Sequence, residues 1–328
     1  MFRKIYILLV IFLIANINKA QNVYEFLRLD TSPRAAAMAG SFVSNYDDPN
    51  VMFYNPAGIA TLSDNPVSFS FLKHVLDINS ASLSGSTLIE GYGRFSAGIT
   101  YINYGTFDKA NRYGDRTGEF GASDIAVLIG YAGSLEENFY YGANIKFIYS
   151  GIDDKSSTGA ALDLGLQYLI PDKKWSFGFS VLNLGKQLSS YVDTKEDLPL
   201  DVRFGVMKEL DKTPFTFSLT FIRLADKYDK LSDRFKQFVV GAEVKISKPL
   251  KLRIGYDNER RKDLKIGSST GLAGISLGFG LNISEYQFDY SFSSYGEIGG
   301  LHRIGISTSF LWTKIFSIKN RLTGLTLS

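Results

Sequence analysis

Between residues 138 and 169, hydrophobic and polar side chains alternate with a period of two, twice in succession, with opposite chemistry on the two phases. In the first run Tyr141, Ala143, Ile145, Phe147 and Tyr149 share one phase, and Gly142, Asn144 and Lys146 the other. In the second, Leu162, Leu164, Leu166 and Tyr168 oppose Ala161, Asp163, Gly165 and Gln167, and the polar loop Asp153-Asp154-Lys155-Ser156-Ser157 lies between the two. Successive side chains of a strand point to opposite faces, so each run predicts a strand with one apolar and one polar wall. Aromatic residues at the ends of the apolar stripe mark strands that cross a bilayer, where rings settle at the headgroup level.

Fourteen runs of this kind occupy 66–73, 77–84, 92–104, 122–132, 138–150, 160–169, 175–184, 199–209, 214–224, 235–246, 250–257, 272–283, 286–294 and 302–311. Their phases agree. Phe215, Phe217, Leu219 and Phe221 oppose Thr216, Ser218 and Thr220, while Tyr286, Phe288, Tyr290 and Phe292 oppose Gln287, Asp289, Ser291 and Ser293. An even strand count is what a closed antiparallel barrel of the bacterial outer membrane requires. Short turns at 172–174 and 247–248 would face the periplasm, and polar stretches at 105–121, 185–198, 226–234 and 258–270 would form the outward loops. A soluble β-sandwich would also alternate, but its wetted wall would be rich in bulky Lys, Glu and Thr. Here the polar phase mixes Gly and Ser with charges of both signs. The expectation is an all-β fold: a 14-stranded antiparallel transmembrane β-barrel with a small N-terminal hatch or plug segment.

The hatch is assigned to residues 21–65, the barrel to 66–311 and a tail to 312–328. Residues 22–65 lack the alternation. Ser32-Pro33-Arg34 opens a short helix that Gly40 ends, and Asp47-Asp48-Pro49-Asn50 and Asn55-Pro56-Ala57-Gly58 are turn signals. A closed sheet of fourteen strands is too wide to fill with side chains, so the lumen holds water, a plug or both. The hatch and turn residues Ser32, Arg34, Gly40, Asn55, Pro56 and Gly58 are expected to be structural. The lumen phase carries Lys146, Asp163, Asp201, Arg203, Glu243, Lys245, Lys251, Arg253, Asp289 and Arg303. Mixed signs predict a structural charge network in preference to a selective pore.

Composition agrees with this picture and narrows the chemistry. The chain has 328 residues, 14% aromatic, with 31 Gly and no Cys, so disulfide scaffolds and thiol metal sites are excluded. Its net charge of +3 is spread evenly, which leaves no basic patch for nucleic acid. Residues 1–20 read as a secretory signal: Arg3 and Lys4, an apolar core from Ile5 to Ala15, and Ala20 before the cut. His74 and His302 are the only histidines, and neither lies near a nucleophile elbow. Gly278 and Gly280 sit within an alternating strand, not in the strand-to-helix turn of a dinucleotide site. No enzyme activity, metal or cofactor is expected.

Several segments resemble one family, the PorV/PorQ proteins of the type IX secretion system, outer-membrane barrels related to the fatty acid transporter FadL. The resemblance rests on Phe26-Leu27-Arg28-Leu29, Ser32 to Gly40, Asn55-Pro56-Ala57-Gly58, Gly118 to Asp124, Leu182-Asn183-Leu184-Gly185, Gly296-Glu297 and His302-Arg303-Ile304. It implies fourteen strands with an N-terminal hatch and a role without catalysis, binding secreted cargo proteins or other type IX secretion components at the cell surface. Its lean is toward PorQ, with outer-membrane lipid as the surrounding solvent. The alternative is a FadL-like passive channel for hydrophobic small molecules, with a lipid or detergent-like ligand in the lumen.

Overall fold

The computed structural model describes residues 22–74, 77–228, 230–264 and 271–309. The expected signal segment 1–20, the tail 312–328 and the end of the last predicted strand lie outside the described residues. The strands are β1 (Pro66–Lys73), β2 (Asn79–Ile89), β3 (Gly93–Ala110), β4 (Arg116–Glu136), β5 (Phe139–Ile152), β6 (Lys155–Ile170), β7 (Trp175–Ser189), β8 (Asp201–Glu209), β9 (Phe215–Phe221), β10 (Phe238–Lys245), β11 (Leu250–Asp257), β12 (Ile275–Ile283), β13 (Tyr286–Ser294) and β14 (Gly300–Ser309). Each pairs antiparallel with the next, and β1 pairs with β14, so the fourteen-stranded sheet closes on itself. No described helix is long and apolar enough to cross a membrane; the strands do the crossing.

The two phases divide as their chemistry requires. On β5, Ile145 and Phe147 are 72% and 52% exposed on the outer wall, whereas Asn144 and Lys146 are 0% and 6% exposed inside. The register keeps like with like: Ile145 faces Leu162 across the β5–β6 ladder, and Asn144 faces Asp163. Aromatic pairs gather near the short-turn end, among them Phe95–Tyr131, Phe139–Tyr168 and Trp175–Phe177 with centroids 5.2, 6.2 and 6.0 Å apart. Such a belt belongs at the level of lipid headgroups.

Two predicted loops carry strand, one of them over most of its length. β3 and β4 continue as a ribbon, pairing Thr106 with Gly121 and Asp108 with Glu119, so most of the 105–121 stretch is a hairpin standing beyond the barrel. β7 likewise extends to Ser189. Both faces of the β3–β4 ribbon meet water, so alternation between apolar and polar residues ceases there although the backbone remains paired, whereas on the β7 extension Gln187 still points inward and donates to Ser157 at 2.7 Å.

The N-terminal segment lies inside the barrel. Three times it places a cap residue before a proline: Ser32 receives the amide of Ala35 at 3.4 Å, Asp48 that of Asn50 at 2.8 Å, and Asn55 that of Ala57 at 3.1 Å. Each cap opens a short turn of helix, Pro33–Ala37, Pro49–Phe53 and Pro56–Thr61, since proline at the first position sacrifices an amide that had no partner. The wall accommodates these turns with missing side chains. A Cβ on Gly165 would lie 2.1 Å from Asn55 Oδ1, and one on Gly178 the same distance from the Val43 carbonyl. Phe42, Val51, Met52, Tyr54 and Ile59 pack with Leu128 and Ala132 of β4. Val23, Tyr24 and Phe26 form a second apolar cluster toward the long-loop end.

One prediction tests the assignment of the outer wall. Ile145→Arg is expected to destabilise the folded barrel by about 2–4 kcal/mol, the cost of a cation near the bilayer midplane. Denaturant titration in lipid vesicles measures it.

Candidate functional site

The interior is organised by Arg34, the second residue of the first short helix. Its Nε donates to Glu243 Oε2 at 3.2 Å and its Nη2 to Oε1 at 3.4 Å, a two-pronged contact with β10. Its Nη1 reaches Asp47 at 3.0 Å and Asp48 at 3.3 Å within the N-terminal segment. Burial works against the Arg34 charge, but Glu243, Asp47 and Asp48 outweigh it and hold the guanidinium protonated well above its ordinary range. Burial also pushes the Asp48 carboxyl up, with Arg34 pulling it down. From Glu243 the chain of charges continues: Arg253 donates to Glu243 at 2.6 Å and to Asp289 at 2.5 Å. Gln287 donates to the other oxygen of Asp289 at 2.7 Å. Charge-assisted, two-pronged bonds of this type fix geometry as well as adding energy.

The remaining lumen charges do not join this group. Lys146 pairs with Asp163 at 3.1 Å and donates to Asn183 Oδ1 at 2.6 Å. Asp163 also accepts the Asn183 amide at 2.8 Å, at a bulge of β7 where Asn183 has φ 61°. Asp201 and Arg203 pair at 2.7 Å on β8. Arg303 bonds Ser293 through Nη1 at 3.3 Å. Lys251 is turned into the lumen beside Arg253, with no described carboxylate within 4.0 Å. Lys245 stands apart. It is 51% exposed at the short-turn rim, with Glu209 3.9 Å away, so the expectation that it joins a buried network does not hold. The single network expected from sequence is thus several separate groups, because a side chain reaches only one or two strands along the wall.

Gly40, with φ 80°, turns the chain after the helix and lies against Asp30, while Asn55 ties the turn to the wall through the Leu166 carbonyl at 3.0 Å. A Cβ on Gly58 would collide with Val51 at 2.6 Å. Two cavities of about 380 Å³ each flank the segment, one toward the long loops and one toward the short turns. The first is ringed by ion pairs that alternation could not reveal. Arg28 meets Asp226 at 3.0 Å, Arg223 meets Glu259 at 2.9 Å and Arg260 meets Asp257 at 3.3 Å. All but Asp257 of these residues lie in irregular or helical segments. Arg94 was legible as a polar-phase residue but not its task. It anchors the segment's end by donating to the carbonyls of Leu62 at 2.5 Å and Asp64 at 2.6 Å. Among the described residues no three His, Asp or Glu side chains are grouped to hold a metal ion.

No protein-family model and no curated protein matches the chain. Solved structures do. The P. putida toluene transporter TodX matches with a TM-score of 0.57 at 12% identity, over 84% of this chain and 97% of that one. The Ralstonia pickettii toluene transporter TbuX gives 0.57 and 12%, over 85% and 98%. A Pseudomonas aeruginosa FadL homologue gives 0.55 and 10%, over 86% and 98%. The architecture is therefore a FadL-type barrel, a closed fourteen-stranded sheet with an N-terminal segment.

Two outcomes follow from the charges. Arg34→Gln takes from Asp48 its one described Lys or Arg partner and leaves Glu243 with Arg253 alone, and is expected to cost about 3–5 kcal/mol, whereas Arg34→Gln with Asp48→Asn recovers part of the loss. Unfolding of the purified barrel, with protease sensitivity of residues 22–65 beside it, reads both. His74 is pushed down to about 4 by burial and by Arg303. The unfolded chain binds a proton near pH 6.5, so the His74 contribution to stability is full above that value and falls away between about 6.5 and 4. Histidine-labelled NMR in micelles should show His74 neutral at pH 5.5.

Proposed function

We propose that the protein is a non-catalytic outer-membrane barrel that takes up small apolar compounds from the outer surface, with its N-terminal segment as the gate. One observation carries this reading. The polar lumen contains an apolar recess at its long-loop end, walled by Ile102, Ala126, Ile148, Ala161 and Leu198, and filled by the chain's own Val23, Tyr24 and Phe26. Burying one such side chain contributes about 1.5–3 kcal/mol, so the recess has a standing affinity for an apolar guest of similar size. The filling residues are held by few polar tethers. These are the Val23 amide to the Asp197 carbonyl at 3.0 Å, Tyr24 to Ser157 at 2.5 Å, and Arg28 to Asp226 and to the Leu200 carbonyl, each at 3.0 Å. The similarity to structures described as toluene transporters supports the reading, as does the outer wall's fitness for lipid.

A second reading, favoured by a different observation, is a protein-binding barrel serving type IX secretion. The β3–β4 ribbon projects beyond the wall and presents aromatic side chains to solvent. Tyr113 is 75% exposed at its tip, and Phe107 stacks on Phe120 at 5.4 Å below it. Exposed aromatic groups on a projecting element suit contact with another protein. The resemblance of the sequence motifs to PorV/PorQ proteins supports this role.

Uptake into liposomes separates the two. The reconstituted barrel is expected to admit labelled toluene or oleate faster than protein-free vesicles. Arg28→Ala should raise the rate several-fold by releasing a tether, and Ile148→Asp should lower it. Uptake equal to that of empty vesicles, with secretion components or cargo copurifying from native membranes through an intact ribbon, would displace the first reading in favour of the second.

A further inference from the structure

Five arginines line the cavity at the long-loop end, and four of them meet a carboxylate. Arg28, Arg203, Arg223 and Arg260 pair with Asp226, Asp201, Glu259 and Asp257 at 3.0, 2.7, 2.9 and 3.3 Å. Arg303 is the exception. It is 2% exposed, its Nε has no acceptor, its Nη1 has only the Ser293 hydroxyl, and no described carboxylate lies within 4.0 Å. A buried guanidinium without a counter-charge costs several kcal/mol, so the position is one where an anionic group has much to gain. Asp30 is its complement. It lines the same cavity and has no described Lys or Arg within 4.0 Å, and its one side-chain partner, the Tyr54 hydroxyl, donates at 3.2 Å. Both residues also border a small space of about 10 Å³, room for roughly one water.

We infer that this cavity binds a small zwitterion, a molecule with an ammonium and a carboxylate a few ångströms apart, Arg303 taking the carboxylate and Asp30 the ammonium. A multiply charged anion fits less well, because Asp30, Asp201 and Asp257 line the approach to Arg303. A bare carboxylate leaves Asp30 without a partner. Leu29, Ala39, Ile222 and Leu264 line the cavity as well, and its volume of about 380 Å³ holds an aliphatic side chain. Aliphatic α-amino acids therefore match the walls in charge and in apolar surface. The site shares Glu25, Arg28 and Leu29 with the proposed gate, but its test reads binding and not uptake, so the two readings fail separately.

Equilibrium dialysis of the full chain in detergent micelles tests it with L-leucine, leucinamide, 4-methylpentanoate and inorganic phosphate as probes. Leucine is expected to bind saturably, and the two analogues, each missing one charge, about tenfold more weakly, the loss of one charge-assisted hydrogen bond. Phosphate should not compete. Arg303→Gln and Asp30→Asn should each weaken leucine about tenfold while the folded barrel keeps its heat-modifiable migration on gels. If leucine does not bind saturably, the pair is bridged by water only and the inference is wrong. Equal binding of 4-methylpentanoate, or displacement by phosphate, would make it a plain anion site and also overturn the inference. The analogue comparison on the unaltered chain decides the matter even if Arg303→Gln fails to fold.

Discussion

Closure of the sheet is the constraint on which the rest of this structure depends. A strand in hydrocarbon has no water to satisfy its amides and carbonyls, so each of the fourteen strands needs a neighbour on both sides, and β14 must return to β1. Closure in turn creates a lumen too wide for wall side chains to fill. The N-terminal segment occupies that volume, and its close seating on Gly165 and Gly178 shows how fully. The interior around the segment can then be largely dry, where a buried charge is costly unless it is paired. Arg34, Glu243, Arg253 and Asp289 satisfy that condition by sharing one another's oxygens and nitrogens.

The two ends of the segment are held by different physics. Residues 33–61 are capped, hydrogen-bonded to the wall and clamped at Arg34, and releasing them would expose several buried charges at once. Residues 22–29 rest in an apolar recess with a few polar tethers near the long loops. Apolar contact is non-directional, so a guest of suitable size can replace it without rebuilding a hydrogen-bond network. Movement is therefore cheapest at the outer end, while the clamp keeps the inner end in place. That asymmetry is the physical basis of the proposed gate.

Strands were legible because a wall between lipid and a polar interior forces opposite chemistry onto successive residues, as at Asn144, Ile145 and Lys146. Where both faces meet water, as in the ribbon containing Asp108 and Glu119, the code vanishes although pairing persists. Strand phase placed the lumen charges on the correct wall but not beside their partners, because partnership depends on register and on the plug. Glu243 and Arg253 stand opposite each other on β10 and β11, and nothing in the spacing links them to Arg34. The mouth arginines Arg28, Arg223 and Arg260 sit outside the regular crossing strands, so strand phase did not bring them together at the cavity.

The central claim is that one phase of every strand looks into lipid and the other onto a packed, water-poor interior. The chain contains no cysteine, so single cysteines can be placed at residues 142–149 of β5 without background. Labelling in native membranes with a bilayer-soluble maleimide and a water-soluble one then reads each side chain's surroundings. Positions 143, 145 and 147 should react with the bilayer-soluble reagent, and 142, 144, 146 and 148 with neither. Efficient labelling of 145 or 147 from water, or reactivity without a period of two, would contradict the account.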